Sequence, residues 1–186
     1  MAARMVPTPA PHPPKVQQWL DRTMPPGRAP LVLFTTLARD ERLFDRFFSG
    51  GLLDRGHLTL REREIVIDRT TARCGSEYEW GVHVAFFGRR VGLTAGQLAS
   101  LVHGGPDDAC WTPGEALLVR LCDELHETAT VSDGLWAALR AERSEEAMLE
   151  LLMLAGAYRM VSYLTNALRL PLEADGARFP GSGSAA

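Results

Sequence analysis

The chain has 186 residues, enough for one domain with a hydrophobic core and too few for two domains of ordinary size. Its net charge of −3 offers no basic surface to nucleic acid or to an anionic membrane. The three cysteines, Cys74, Cys110 and Cys122, include no Cys-X-X-Cys pair and make a poor disulfide framework. We therefore expect a reduced, cytoplasmic protein that binds neither nucleic acid nor membrane.

The composition of the two ends differs from that of the rest of the chain. Residues 1–14 contain five prolines, which oppose both helix and strand, and predict a disordered tail. Residues 174–186 are rich in Gly, Ser and Ala and predict a flexible C-terminal tail. The segment between them, residues 15–173, is predicted to form a single all-α domain.

The pattern between the two ends is helical throughout, without a run of alternating strand pattern. Apolar spacing and capping signals predict helices at about 15–23, 30–38, 40–49, 59–74, 76–91, 94–103, 112–128, 132–142 and 144–168. Four of these begin with the capping-box pattern, at Thr59, Ser76, Thr94 and Thr112. The last helix is apolar nearly all round, but Glu150 and Arg159 interrupt it, which favours a buried helix over a membrane span.

One acidic and one imidazole side chain are predicted to meet on the hairpin of the fourth and fifth helices. Glu64 lies about 10 residues before the turn at Gly75, and His83 lies about 8 residues after it, so the two are level across the hairpin. Glu64 shares its helix face with Ile67, and His83 shares its face with Phe87, so both side chains are expected to point inward. Burial raises the pKa of the carboxylate, whereas mutual attraction stabilises the charged Glu⁻/His⁺ form. Such opposed effects are common in acid/base sites.

These residues carry a family resemblance. Glu64, eleven further residues and then Ser76-X-X-Glu79-X-X-X-His83 resemble the signature of the carboxymuconolactone decarboxylase family, which is related to alkylhydroperoxidase D. The segments ARDERLFDRFF, GLTAGQL and LLMLAGAYRMVSYLTNAL are also similar to family members. The resemblance implies an all-α bundle of the alkylhydroperoxidase D-like type with a central antiparallel hairpin. It also implies a homo-oligomer, either a trimer or a hexamer.

The chain departs from one branch of that family. In the peroxidase branch, cysteines occupy the positions of Ser76 and Glu79 and act as the nucleophile and its resolving partner. Cys74 lies two residues too early and has no partner nearby in sequence. A thiol peroxidase is therefore not expected unless a distant cysteine takes part. The resemblance that remains implies a cofactor-free lyase that moves protons on a small carboxylated lactone or keto acid.

The resemblance also implies roles for particular residues. We expect His83 to carry the proton. Glu64 is expected to orient the His83 ring or relay the proton, and Glu79 is expected to adjust the charge of His83. Four further residues are expected to bind the substrate: Ser76, Tyr78 and Trp80 at the mouth of a pocket, and Arg69 on a substrate carboxylate. No metal and no cofactor are expected, since His126 with Asp123 and Glu127 is a weak ligand set.

Structural alternatives remain open for most of these residues. A capping box alone explains Ser76 and Glu79, and Glu79 with His83 is also explained as a surface pair. Glu64 is alternatively half of an ion pair with an arginine such as Arg61 or Arg89. Asp68, one turn beyond Glu64, is expected in solvent. For the whole chain, the alternative to an enzyme is a non-catalytic helical oligomer or ligand-binding module. If the chain is an enzyme, its reaction is either a catabolic step or a tailoring step in secondary metabolism.

Overall fold

The computed structural model describes residues 2–50, 52 and 54–181, and this part of the chain is helical, without strands. The helices are α1 Pro14–Thr23, α2 Val32–Leu37, α3 Glu41–Ser49, α4 Leu60–Arg73, α5 Glu77–His83, α6 Ala95–His103, α7 Pro113–Thr128, α8 Asp133–Glu142 and α9 Glu145–Leu168. A π-helical turn, Val84–Gly88, continues α5. The predicted all-α class and the order of the helices are confirmed, with ends that differ by about three residues or fewer when the π-helical turn is counted with α5.

Helix α4 lies at the centre of the bundle and packs against α5, α6, α7 and α9. Its residues 64–71 are all buried, although they span more than two helical turns. The apolar part of this stretch, Ile65 to Ile67, packs into the main core with leucines of α7 and α9. The charged residues of this stretch, Glu64, Asp68 and Arg69, are buried as well, so their charges must be compensated inside the protein.

Three of the four predicted capping boxes are present, at Thr59, Thr94 and Thr112. The fourth prediction is wrong, because the Ser76 side chain makes no capping bond to the start of α5. Its Oγ instead lies 2.7 Å from Oγ1 of Thr165 on α9, a contact between residues far apart in sequence. Glu79 is therefore not engaged in a capping box.

A tight turn joins α4 to α5 and makes them antiparallel neighbours. Gly75 has a φ of +64°, a conformation in which a side chain is strained, and its N–H donates to the carbonyl of Ala72. The next N–H, of Ser76, donates to the carbonyl of Thr71. Backbone bonding thus closes the hairpin in the register that sets Glu64 opposite His83.

The segment after α9 crosses back over α5, and we call residues 171–181 the C-terminal strap. The Ala177 N–H donates to the carbonyl of Gly81 over 2.9 Å. A side chain at position 81 would place its Cβ 2.3 Å from the Ala177 carbonyl oxygen, so this approach requires glycine. A flexible tail is predicted for 174–186, but its described part makes these specific contacts, and residues 182–186 lie outside the described residues.

Contacts also hold the N-terminal segment, which is predicted to be a disordered tail. The Arg4 N–H donates to the carbonyl of Leu168 over 2.9 Å, and the Thr8 N–H donates to the carbonyl of Thr35 over 3.1 Å. Residue 1 lies outside the described residues. From residue 2 to α1, the chain therefore lies against α2 and the end of α9.

Helix α9 is the one helix in the described chain that is long and apolar enough to cross a membrane, with 24 residues and a mean hydropathy of 1.2. Its inner face, including Leu151, Leu154 and Tyr158, belongs to the core. Core helices of soluble proteins pass the same test of length and composition. The packing of α9 favours that interpretation over a membrane span.

Candidate active site

Glu64 and His83 meet inside the hairpin, as their spacing predicts. Glu64 Oε2 lies 2.8 Å from Nδ1 of His83, and the two residues are 0% and 5% exposed. The His83 ring also packs edge-on against the ring of Tyr158 on α9, with 4.9 Å between centroids. The acid from α4 and the imidazole from α5 therefore form a sheltered, hydrogen-bonded pair.

His83 also contacts a second carboxylate, on its own helix. Its Nε2 lies 3.5 Å from Oε1 of Glu79, one helical turn earlier. Burial opposes a charge on the ring and is the largest influence, but the hydrogen bonds and the attraction from Glu64 and Glu79 outweigh it. Together they raise the pKa of His83 to about 10. The imidazole is thus a buried cation between two carboxylates at neutral pH.

Glu79 is held by only one of its two oxygens. Its Oε2 is buried and has no hydrogen-bond partner among the described residues. A buried carboxylate oxygen without a donor is costly, and such atoms are uncommon in folded proteins. The alternative interpretation of Glu79 and His83 as a surface pair is wrong, since both residues are buried.

Asp68 is a third acid in the same region, and the expectation that it lies in solvent is wrong. It is completely buried, and neither carboxylate oxygen has a hydrogen-bond partner in the described chain. Burial, and then repulsion from Glu64, raise the pKa of Asp68 well above its usual value. We therefore take Asp68 as a neutral acid, which leaves Glu64 and Glu79 as the carboxylates that compensate His83.

A cavity of about 370 Å³ opens beside His83. Its walls come from α1, α2, α3, α5 and α9 and from the loops that follow α1 and α3. The lining residues are Trp19, Thr23, Met24, Leu31, Phe34, Arg46, Phe47, Phe48, Gly50, Leu52, Glu79, Val82, His83, Phe86, Phe87, Ala157, Tyr158, Met160 and Val161. Glu79 and His83 are the polar groups of α5 in this wall, whereas Glu64 lies behind His83. The π-helical turn directly after His83 supplies Phe86 and Phe87, and such turns are frequent at functional sites.

The three side chains expected at the pocket mouth lie elsewhere. Ser76 is bonded to α9, and Tyr78 receives the N–H of Leu33 over 2.9 Å and bonds to Glu173 of the strap. Trp80 packs against Phe179 of the strap, with 5.2 Å between ring centroids. None of the three lines the cavity. Ser76 lies on the face of His83 but about two turns earlier, against α9, whereas contacts with α2 and the strap hold Tyr78 and Trp80.

The prediction that Arg69 binds a substrate carboxylate is also wrong. Its guanidinium is 3% exposed and makes two bonds to Asp123, of 2.7 and 2.8 Å. It donates further to the carbonyls of Ser100 and Leu101. All of these partners are structural, so Arg69 joins α4 to α6 and α7. The arginine that lines the cavity is Arg46, which is exposed on α3.

The remaining titratable candidates form no second centre. Asp123 is occupied by Arg69 and Arg73, and within the described ranges no group of His, Cys, Asp and Glu is arranged to hold a metal ion. Burial raises the pKa of Cys74, and it raises the pKa of Cys122 to about 12. Neither environment stabilises the thiolate that peroxide chemistry needs.

Solved structures share this fold. An uncharacterized peroxidase-related protein from Ralstonia eutropha JMP134, described as an alkylhydroperoxidase AhpD core, superposes with a TM-score of 0.79 at 17% identity, over 94% of this chain and 95% of that one. A peroxidase-related protein from Silicibacter sp. TM1040 gives 0.76 at 18% identity, over 96% and 94%. A putative antioxidant defence protein AhpD from Agrobacterium tumefaciens gives 0.57 at 18% identity, over 72% and 87%. The fold is therefore of the alkylhydroperoxidase D-like type.

The sequence narrows this class further. Residues 41–118, from the start of α3 into α7, match the model of the carboxymuconolactone decarboxylase family. The resemblance to that family is thereby confirmed, and the matched segment contains Glu64, Glu79 and His83. None of the curated proteins matches the chain.

Proposed function

We propose that this protein is a cofactor-independent enzyme of the lyase type that moves a proton on a small carbonyl compound. The resemblance suggests a carboxylated lactone or a keto acid as the substrate, in a catabolic or tailoring step. The observation that carries the proposal is the His83 imidazolium, which lies between two carboxylates and opens on a cavity of substrate size. Such an arrangement suits reactions that pass through an enolate.

In the proposed reaction, the carbon next to a carbonyl loses a proton or CO₂, and the electron pair moves onto the carbonyl oxygen. His83 lines the cavity, and its Nε2–H stabilises this oxyanion in the proposed reaction with a charge-assisted hydrogen bond. Loss of a proton requires a base at the same place, and the free oxygen of Glu79 meets that need. A proton then returns to the carbon from Glu79 or His83. Glu64 fixes the ring and its charge from behind.

The alternative, a non-catalytic ligand-binding module, predicts a closed hairpin with Glu64 bound to an arginine. Glu64 instead bonds to His83, and its nearest arginine contact, to Nε of Arg63, is 3.9 Å long. Arg61 pairs with Glu115 rather than with Glu64. These contacts and the cavity favour the enzyme. The thiol environments described above disfavour a peroxidase.

We also propose that the protein is cytoplasmic and forms a homo-oligomer through α9. The outer face of α9 exposes Leu149, Met153, Met160 and Tyr163, spaced at three to seven residues along one side. The four side chains are uncharged, and Arg159 donates to the hydroxyl of Tyr163 at the edge of the stripe, so the stripe suits contact with the same largely apolar stripe of another copy. Met160 also lines the cavity, which would bring a neighbouring copy close to the cavity mouth.

Hydrogen–deuterium exchange tests the proposed chemistry without knowledge of the complete reaction. Carboxylated lactones and β-keto acids are incubated with the protein in D₂O, and proton NMR follows exchange at the carbon next to the carbonyl and loss of CO₂. We expect exchange or decarboxylation with the natural chain and a loss of at least about 100-fold in His83→Ala. His57→Ala, which removes an exposed histidine, is the control and should keep the full rate. Equal rates in the two variants would remove His83 from the mechanism.

A further inference from the structure

We propose that the cavity binds an uncharged, largely apolar compound whose inner end carries a hydroxyl or N–H group next to a carbonyl oxygen. The inference rests on the proposed function, because it takes the cavity beside His83 as the substrate site. It narrows the substrate class by replacing the carboxylated end that the resemblance suggests with a neutral one, so that of the two proposed routes it retains the loss of a proton and not the loss of CO₂. Three features support this inference: the residues that line the cavity, the charges near His83, and the hydrogen-bonding atoms of Glu79 and His83. We call the part of the cavity at Glu79 and His83 its inner end.

The walls are built for an apolar body. Phenylalanines from three separate elements face the cavity, among them Phe34 of α2, Phe48 of α3 and Phe87 of the π-helical turn. Phe34 and Phe48 pack edge to face with 4.9 Å between centroids, which gives a continuous aromatic wall. A volume of about 370 Å³ suits a ligand of one or two rings.

The charges at the inner end disfavour a carboxylate. The imidazolium of His83 already faces the carboxylates of Glu64 and Glu79, and Nε of Arg63 lies 3.9 Å from Oε1 of Glu64, so the charges of this cluster are compensated within the protein. A ligand carboxylate would add an uncompensated negative charge beside Glu79, because the His83 cation is already paired with two carboxylates. Arg46, the basic residue of that lining, is exposed on α3 and has no described bond to the inner cluster.

The hydrogen-bonding atoms at the inner end define the ligand's polar group. Glu79 Oε2 is a buried acceptor without a donor in the described chain. The Nε2–H of His83 is a donor whose contact with Glu79 Oε1 is long, at 3.5 Å, and is therefore readily exchanged for a shorter one. A ligand that satisfies both atoms must offer a donor to Glu79 and an acceptor to His83, side by side.

Three probes of nearly equal size separate these features. α-Hydroxyacetophenone has the carbonyl and the neighbouring hydroxyl, acetophenone lacks the hydroxyl, and phenylglyoxylate carries a carboxylate in its place. Calorimetric titration at pH 7.5 should give the tightest binding for α-hydroxyacetophenone, with acetophenone weaker by about tenfold and phenylglyoxylate weaker still. Equal binding of the three, tighter binding of phenylglyoxylate, or no binding at millimolar concentration would overturn the inference.

Glu79→Gln provides a reciprocal test, because it removes the charge and keeps the size of the side chain. The advantage of the hydroxyl over acetophenone should fall to less than about threefold, while phenylglyoxylate should bind more tightly than it does to the natural chain. Glu127→Gln removes a charge from an exposed carboxylate on α7 and should leave the order of the three probes unchanged. An advantage of the hydroxyl that stays at about tenfold in Glu79→Gln would contradict the assignment of the donor.

The two proposals fail separately. Binding in the expected order without deuterium exchange into α-hydroxyacetophenone would support the ligand class and contradict the proposed catalysis. Turnover of carboxylated compounds together with preferred binding of phenylglyoxylate would support the catalysis and overturn the ligand class.

Discussion

Glu64 and His83 are bonded over 2.8 Å inside the α4–α5 hairpin, and the other ring nitrogen of His83 faces Glu79 at the cavity wall. One ring nitrogen is therefore bonded to an acid behind the cavity wall, while the other faces Glu79, which lines the cavity. In such an arrangement, the carboxylate behind the ring orients the imidazole, and the other ring nitrogen is available for proton transfer. It separates Glu64, a positioning residue, from Glu79, which reaches the cavity itself.

The loss of the Glu64 charge should destabilise the fold. Glu64→Gln removes one of the two negative charges that face the buried imidazolium, so we expect the free energy of unfolding to fall by about 3 kcal/mol. Urea unfolding at pH 7 measures this change. Glu127→Gln, on the exposed end of α7, should change it by less than about 0.5 kcal/mol. A Glu64→Gln variant as stable as the control would show that the pair is not held in the interior.

Asp68→Asn should stabilise the protein at neutral pH. Because the folded state raises the pKa of Asp68, the folded state holds a proton that the unfolded chain releases above about pH 4. The contribution of Asp68 to stability is thus present below that pH and is lost as pH rises toward the folded pKa. The advantage of Asp68→Asn should grow by about 1.4 kcal/mol per pH unit from about pH 4 upward. A pH-independent difference between the two proteins would contradict a neutral Asp68.

Arg69 should behave as a structural residue. Arg69→Lys replaces a guanidinium that makes two bonds to Asp123 with an ammonium that cannot make both. We expect the free energy of unfolding to fall by about 2 kcal/mol or more. A double-mutant cycle with Asp123→Asn should give a coupling energy above about 1 kcal/mol. Affinity for the cavity probes should stay the same. Weakened probe binding at unchanged stability would return Arg69 to the site.

The exposed stripe of α9 should control assembly. Met153→Glu places a charge at its centre, and we expect light scattering to show a shift from trimer or hexamer to monomer. Ala141→Glu adds the same charge to an exposed position of α8 and should leave the mass unchanged. A monomeric natural chain, or an unchanged mass in Met153→Glu, would remove α9 from the interface.

The sequence was sufficient to predict the helices and the Glu64–His83 pair because both depend on local spacing. Asp68 was misplaced although the signal was present, since it lies four residues after Glu64 and therefore on the same face. Ser76 was misassigned for another reason. Its capping pattern equals that of Thr59, but the contact with Thr165 on α9 prevails, and no local rule foretells it.

The cavity itself was beyond local reasoning. Phe34 and Phe48 line the same cavity as His83 although they come from α2 and α3, and Tyr158 comes from a helix more than 70 residues further along the chain. Helix periodicity identifies inward faces but does not say which elements meet. Arg69 shows the same limit, because its partner Asp123 follows 54 residues later.

The protonation state of His83 is the most direct test of the whole account. Its raised pKa means that the stabilisation from its charge is complete below about pH 6.5 and is lost as pH rises through about 10. NMR of ¹⁵N-labelled histidine should therefore show both ring nitrogens of His83 protonated from pH 6 to pH 8.5. A His83 ring that titrates with an ordinary pKa near 6.5 would contradict the buried imidazolium on which the proposed chemistry depends.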